Sequence, residues 1–383
     1  MKRIAIFCDG TWNRAYAPFP TNVVQLAQSV KLTADDGMSQ HVFYQMGVGT
    51  GRGSNAVARK LDKWVGGVMG WGLIENVEDA YRTLVFCYEP GDEIYIFGFS
   101  RGAFTARSLA GLIRSCGIPP REHVHRIPEA INRYRSRDKD THPRHSDSYA
   151  WRADFAPFTA TSQDEFDWRL KNRPHMCTVL NIAYLGVWDT VGALGVPGFL
   201  HSAPLLNKGH QFHDAALSGS VKTARHAVAI DEHRPTFPPA LWKNIEYRNE
   251  TSLGPGWHDA PRETWPYRQE WFPGDHGSVG GGGDIAGLSS YTLEWIAEGA
   301  AKAGLSLRQD KLARFYVDQK IDAALINKKK SGGLAAKILR AKKAFRLGPD
   351  DVEMVSDVAK MRVSKVANYR PSVLGKVLEK IKK

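Results

Sequence analysis

Short runs rich in β-branched and aromatic residues alternate with helix-like stretches over the first 120 residues, and no other feature limits the fold as strongly. "RIAIFC", "HVFYQM" and "EIYIFGF" read as strands, each a few residues long and bounded by turn residues. Between them, Thr21-Asn22 offers an N-cap for "VVQLAQSVKL", and a long helical stretch runs from about Leu73 to Tyr88. "RGAFTARSLAGLIRSCG" follows the third strand as a helix that stops at Gly117. Strands alternating with helices predict an α/β fold, a mostly parallel sheet with helices on both faces. The pattern breaks at about 118–176, a polar segment with short helical patches, read as an insertion over one end of the sheet. It resumes with "CTVLNIAYLGVWD", a helix expected at about Phe212–Thr223, the strand "ARHAVAI" and the amphipathic helix "SYTLEWIAEGAAKAG". After about Asp310 the chain turns basic and helix-favouring, so the organisation expected is a main domain over 1–310 and a helical extension over 311–383.

The chemistry concentrates at Gly98-Phe99-Ser100-Arg101-Gly102, a G-x-S-x-G pentapeptide between an apolar strand and a helix. Small flanking residues let the chain turn sharply and lift the serine hydroxyl above the sheet, where the helix N-terminus favours developing negative charge. A plain N-cap would need neither glycine, so Ser100 reads as a nucleophile. Its base and acid should follow in the order Ser, Asp, His, each at the C-terminal end of a strand. Asp189 ends "NIAYLGVW", Asp231 is the rival acid after "ARHAVAI", and His276 in "WFPGDHGSVGGGG" is the best base. The oxyanion of an acyl transfer needs two donors, for which the backbone N–H groups of Arg101 and of Thr11 in "FCDGTWN" are the candidates. No cofactor is required. "GVGTGRG" (47–53) lacks the spacing of a dinucleotide loop and suits a loop near the catalytic mouth. Asp9, Asp189, Asp231, Asp275 and His276 make a competing metal-phosphoesterase reading, which leaves the serine elbow without a role. A catalytically idle binding module on the same scaffold is the third.

Composition sets outer limits. No stretch of some 18 uncharged apolar residues exists, and the N-terminal apolar run is five residues long, too short for a signal sequence. The chain is expected to be cytoplasmic as synthesised, with signal-independent export left open. Four scattered cysteines (Cys8, Cys87, Cys116, Cys177) without a CxxC suit reduced thiols. The net charge of +12 is uneven: Lys328–Arg346 holds eight Lys/Arg and no acid. That run suits an anionic membrane surface, whereas the helical spacing of Leu334, Ile338, Leu339 and Phe345 suits packing on the main domain. The packing reading is favoured. No nucleic-acid motif accompanies it.

Six blocks in order, "FCDGTWN", "GVGTG", "GFSRGAFTARSLAGLI", "GVWDTVGALG", "DEHRPTF" and "WFPGDHGSVGGG", resemble the uncharacterised α/β-hydrolase domain family that includes the catalytic domain of type VI secretion phospholipase effectors. The resemblance spans about Lys2 to Gly304 and implies a lipase-like serine hydrolase of lipid or phospholipid esters. It also implies Ser100 as nucleophile, Asp189 as acid and His276 as base. The family's last block often reads His-Ser-Asp-Val-Gly-Gly; here Ser278 stands where that aspartate would be.

Overall fold

Along β1 (Arg3–Cys8), Ile4, Ile6 and Cys8 join one buried cluster while Ala5 and Phe7 join another. β3 (Glu93–Phe99) divides in the same way, with Ile94 and Ile96 opposite Tyr95 and Phe97. Period-2 alternation of apolar residues on both faces is what a sheet covered on both sides requires. The structure, a computed structural model, describes residues 1–11, 13–47, 66–136, 138–173, 176–192, 216–235, 237–327 and 346–381. β2 (Gln40–Gln45), β4 (Asn181–Trp188), β5 (Val221–Ala229) and β6 (Tyr267–Phe272) complete a six-stranded sheet of order β2-β1-β3-β4-β5-β6, parallel at every pairing. The α/β fold expected from the strand–helix alternation is therefore the fold observed.

Helices α1 (Asn22–Ser29), α2 (Gly66–Cys87) and α3 (Arg101–Cys116) follow the first three strands. Residues 118–176 carry α4 (Ile127–Arg135), α5 (Ser146–Phe155) and α6 (Gln163–Asn172). Ile127, Ile131 and Phe155 from this segment bury in the cluster that α2 and α3 build on one face. Further on come α7 (Ile245–Leu253), the short α8 (His276–Gly280), α9 (Ser289–Lys302), α10 (Gln309–Tyr316) and α11 (Asp357–Lys365). α1, α9 and α10 cover the opposite face, through Val23, Leu26, Leu293, Ile296 and Leu312. Among the described residues no helix is long and apolar enough to cross a membrane.

The helix expected at about Phe212–Thr223 is a correction. Residues 212–215 lie outside the described residues, and β5 already begins at Val221 behind a turn at Gly219–Ser220. Lys222 and Thr223 are the exposed and half-buried positions at the start of that strand, and their polarity hides it in the sequence.

Two features of this sheet position a site. The order reverses between β1 and β3, and ligands of open α/β sheets bind outside the carboxyl ends of the strands at such a switch point. The register then brings the strand ends level: Cys8 pairs with Gly98, and Phe99 with Trp188. The ladder runs one residue further, with Ser100 N–H donating to Trp188 (3.0 Å) and Asp189 N–H to Ala227 (2.7 Å).

Candidate active site

Ser100 sits between β3 and α3 with φ 60° and ψ −122°, and its side chain makes no capping bond to the helix. That excludes the plain N-cap. The turn works because its flanks carry no Cβ: one on Gly98 would lie 2.4 Å from the Gly102 carbonyl oxygen, and one on Gly102 2.2 Å from that of Cys8. Among the described residues, only Ser100 and Asp189 (φ 36°) are non-glycine residues with positive φ. Each such conformation costs about 1–3 kcal/mol and persists only where its surroundings enforce it. Both sit at the same sheet edge.

The two strained residues meet through one imidazole. Ser100 Oγ lies 2.8 Å from His276 Nε2, and His276 Nδ1 lies 2.6 Å from Asp189 Oδ2. With Nδ1 donating to the carboxylate, Nε2 is left to accept the serine proton. The backbone N–H of His276 donates to Glu232 (3.3 Å), and the rings of Phe99 and Phe237 pack against its imidazole with centroids at 4.7 and 4.9 Å. Asp275 caps α8 by accepting from Ser278 N–H, while the Ser278 hydroxyl donates to Leu325 (2.8 Å). The residue that departs from the family block thus ties the histidine's helix to the chain beyond 310.

Asp189 is fully buried, and each of its oxygens carries two donors. Oδ1 accepts from Ala229 N–H (2.9 Å) and Arg346 Nη1 (2.6 Å); Oδ2 accepts from His276 and from Arg346 Nη2 (2.9 Å). Burial alone pushes this carboxyl up, but Arg346 and His276 outweigh it and hold it well below the usual carboxylate range. Asp231, the rival acid, lies elsewhere: its Oδ2 accepts from Gly274 N–H (2.7 Å) and the Tyr369 hydroxyl (2.8 Å).

The remaining candidates fall into place around this centre. Gly10 lies against Ser100, for a Cβ there would sit 3.2 Å from Ser100 Cβ. Its N–H donates to Asp9, whose other oxygen accepts from Thr21 and Tyr44, so the Gly10-Thr11 turn is tied down from beneath. Arg101 opens α3 directly after Ser100. Gly47 packs on the Gly10-Thr11 backbone; the rest of "GVGTGRG" lies outside the described residues. Among the described residues no group of three or more His, Cys, Asp or Glu side chains converges as a metal site would need, and Asp9, Asp231 and Asp275 are each engaged in separate local bonds. His226 is buried and neutral, accepting from Thr190 N–H, and burial pushes its pKa down to about 3.

Sequence reading missed Arg346. It closes the basic run read as a membrane-docking stretch or as a helix packed on the main domain, whose residues 328–345 lie outside the described residues. Arg346 itself is buried on Asp189 and also donates to the Ala229 and Phe237 carbonyls (2.9 and 2.8 Å). No local pattern could have found it, because its partner lies 157 residues away.

The family model described as T6SS, phospholipase effector Tle1-like, catalytic domain matches residues 2–299. An uncharacterized protein of Saccharomyces cerevisiae, YEL023C, is 28% identical over 255 residues, which is 64% of this chain and 33% of that protein. An uncharacterized protein from Pseudomonas aeruginosa aligns in structure over 82% of this chain and 48% of its own (TM-score 0.43, 19% identity). The Tle1 effector bound to the VgrG spike of the type VI secretion system aligns over 74% of this chain and 53% of its own (TM-score 0.34, 18% identity). The chain thus spans from a third to about half of the length of these relatives.

Proposed function

The chain belongs to the family of Tle1-like phospholipase effector catalytic domains, and from that premise we propose that it hydrolyses carboxylic esters of lipids through a serine acyl-enzyme. Ser100 Oγ attacks the ester carbonyl carbon while its proton passes to His276 Nε2. Asp189 orients the imidazole and stabilises the imidazolium that forms. The tetrahedral oxyanion is held by the N–H groups of Thr11 and Arg101, the second reinforced by the α3 dipole. Collapse breaks the ester C–O bond, and the alcohol leaves with the proton from His276. Water, deprotonated by the same nitrogen, then attacks the acyl-enzyme, and the acid leaves as Ser100 recovers its proton.

The observation that carries this reading is the continuous chain Ser100 Oγ–His276 Nε2, His276 Nδ1–Asp189 Oδ2 at 2.8 and 2.6 Å. A fluorophosphonate probe tests it without knowledge of the natural substrate. It should label the wild type and not Ser100→Ala, and Ser100→Ala should lose about 10⁴-fold or more of ester turnover while keeping its melting temperature within a few degrees. A folded wild-type chain that the probe does not label would leave the idle binding module as the better account. Hydrolysis of a phospholipid in mixed micelles, with release of free fatty acid, tests the lipid part separately.

A further inference from the structure

Arg346 lies beyond the stretch that the family model matches, yet it makes four hydrogen bonds at the centre of the site. Its guanidinium meets Asp189 with two parallel bonds, the fork geometry that fixes a carboxylate in both position and rotation. The same group donates to Ala229, at the end of β5, and to Phe237, whose ring packs edge-on against His276. One side chain therefore braces the acid, the strand end behind it and a wall of the imidazole pocket. The residue it clamps, Asp189, is one of the two positive-φ non-glycine residues among those described.

We propose, on the basis of the serine-hydrolase reading above, that Arg346 is a positioning residue which acts through Asp189 to set how strongly His276 holds a proton. Guanidinium and imidazole share the oxygen Oδ2, so a single atom separates them. With Arg346 in place the acid and its clamp sum to zero charge. A protonated imidazole then adds a buried net positive charge, and without Arg346 it would only balance Asp189. Arg346 thus lowers the tendency of His276 to take up a proton at rest and leaves Nε2 open to the serine hydroxyl at lower pH.

The other groups facing the pair do not supply this effect. Ser100 approaches from α3. Glu232, after β5, is paired with Arg234 (2.6 Å), and these two charges offset each other. Asp275 is pushed up by burial and caps α8. His226 on β5 is neutral, and Asp231 is pushed up by burial beside Tyr369.

The test uses the full chain in a Ser100→Ala background, where the protonation midpoint of the His276 imidazole is read by NMR from its ring C–H shift, assigned with His276→Gln. Arg346→Gln removes the charge and keeps donors; Arg346→Lys keeps the charge and loses the fork. The expected result is an upward move of the midpoint by about one unit or more in Arg346→Gln, the scale on which a nearby like charge disfavours the charged form, and little movement in Arg346→Lys. With Ser100 restored, the acid limb of fluorophosphonate labelling should move by the same amount. A midpoint unmoved in Arg346→Gln, or moved alike in both variants, overturns the proposal and leaves Arg346 a structural brace. Should Arg346→Gln not fold, Arg346→Met fills the same space with an apolar chain and reads the same loss of charge. Because the NMR arm needs no turnover, absent labelling would count against the serine-hydrolase reading alone.

Discussion

Two buried carboxylates in this molecule are held almost identically. Glu165, on α6, accepts from Arg152 Nε (2.8 Å), Arg169 Nη2 (2.6 Å), and the N–H and hydroxyl of Thr161 (2.9 and 2.8 Å). Asp189 accepts from Arg346, His276 and Ala229. Burial pushes both up, and arginines in contact hold both below the ordinary carboxylate range. The difference lies in one partner. Every cation on Glu165 is a permanently charged guanidinium, so that cluster can only hold two helices together. Asp189 has exchanged one guanidinium for an imidazole, whose far nitrogen reaches a strained hydroxyl at the sheet edge. A buried ion pair gains chemistry when one member can give up its charge and has somewhere to send the proton.

The largest effect should separate the two clusters by activity. Asp189→Asn is expected to lower kcat on a chromogenic short-chain ester by about 10⁴-fold, through the wrong tautomer of His276. Glu165→Gln should stay within a few-fold of wild type; comparable losses in both variants would erase the distinction.

Stability should rank them the other way. Glu165→Gln leaves Arg152 and Arg169 without their countercharge in the interior, a change worth about 3–5 kcal/mol. In Asp189→Asn one buried guanidinium instead of two loses its countercharge, and Asn tolerates the positive φ of this position, so the loss should be the smaller, nearer 1–3 kcal/mol. Urea denaturation at pH 7 measures both, and a larger loss in Asp189→Asn would reverse the ranking.

Acid should narrow both gaps. A carboxylate held below its unfolded value contributes stability that is fully present above roughly pH 5 and is lost as pH falls below about 4 toward the folded value. The difference in unfolding free energy between wild type and either variant should therefore shrink between pH 6 and pH 3. A gap that widens on acidification would mean that the two carboxyls are protonated in the native state.

The smallest effect belongs to Asp231, which burial pushes up and which faces Tyr369 rather than His276. Asp231→Asn should change kcat by less than about threefold and stability by about 1 kcal/mol. A severe activity loss there would move the acid's role away from Asp189.

How much of this could be read from the chain follows from the range of each interaction. The elbow at Ser100 is local, since strand, two glycines and helix lie within a few residues, and the pentapeptide displays it in full. Asp189 and His276 are legible by rule, because parallel strands deliver their C-terminal ends to one edge. That rule offers Asp231 equally, and only the side chains decide: Gly274 and Tyr369 take one carboxylate, while His276 and Arg346 take the other. The start of β5 is hidden because Val221-Lys222-Thr223 carries one apolar residue in three. Arg346 is hidden by company, one buried guanidinium at the end of a run of cations. In such a run, burial is set by a partner 157 residues distant and not by any period in the sequence.

That distance has a consequence for the time course of folding. The serine–histidine contact closes a separation of 176 residues and the aspartate–arginine contact one of 157, whereas α3 and the turn before it close within one turn of helix. Contacts so far apart are made late, after their loop entropy has been offset by the sheet. A refolding chain should recover its helical circular dichroism first and its reactivity toward the fluorophosphonate afterwards. During that interval the molecule is well structured and chemically silent.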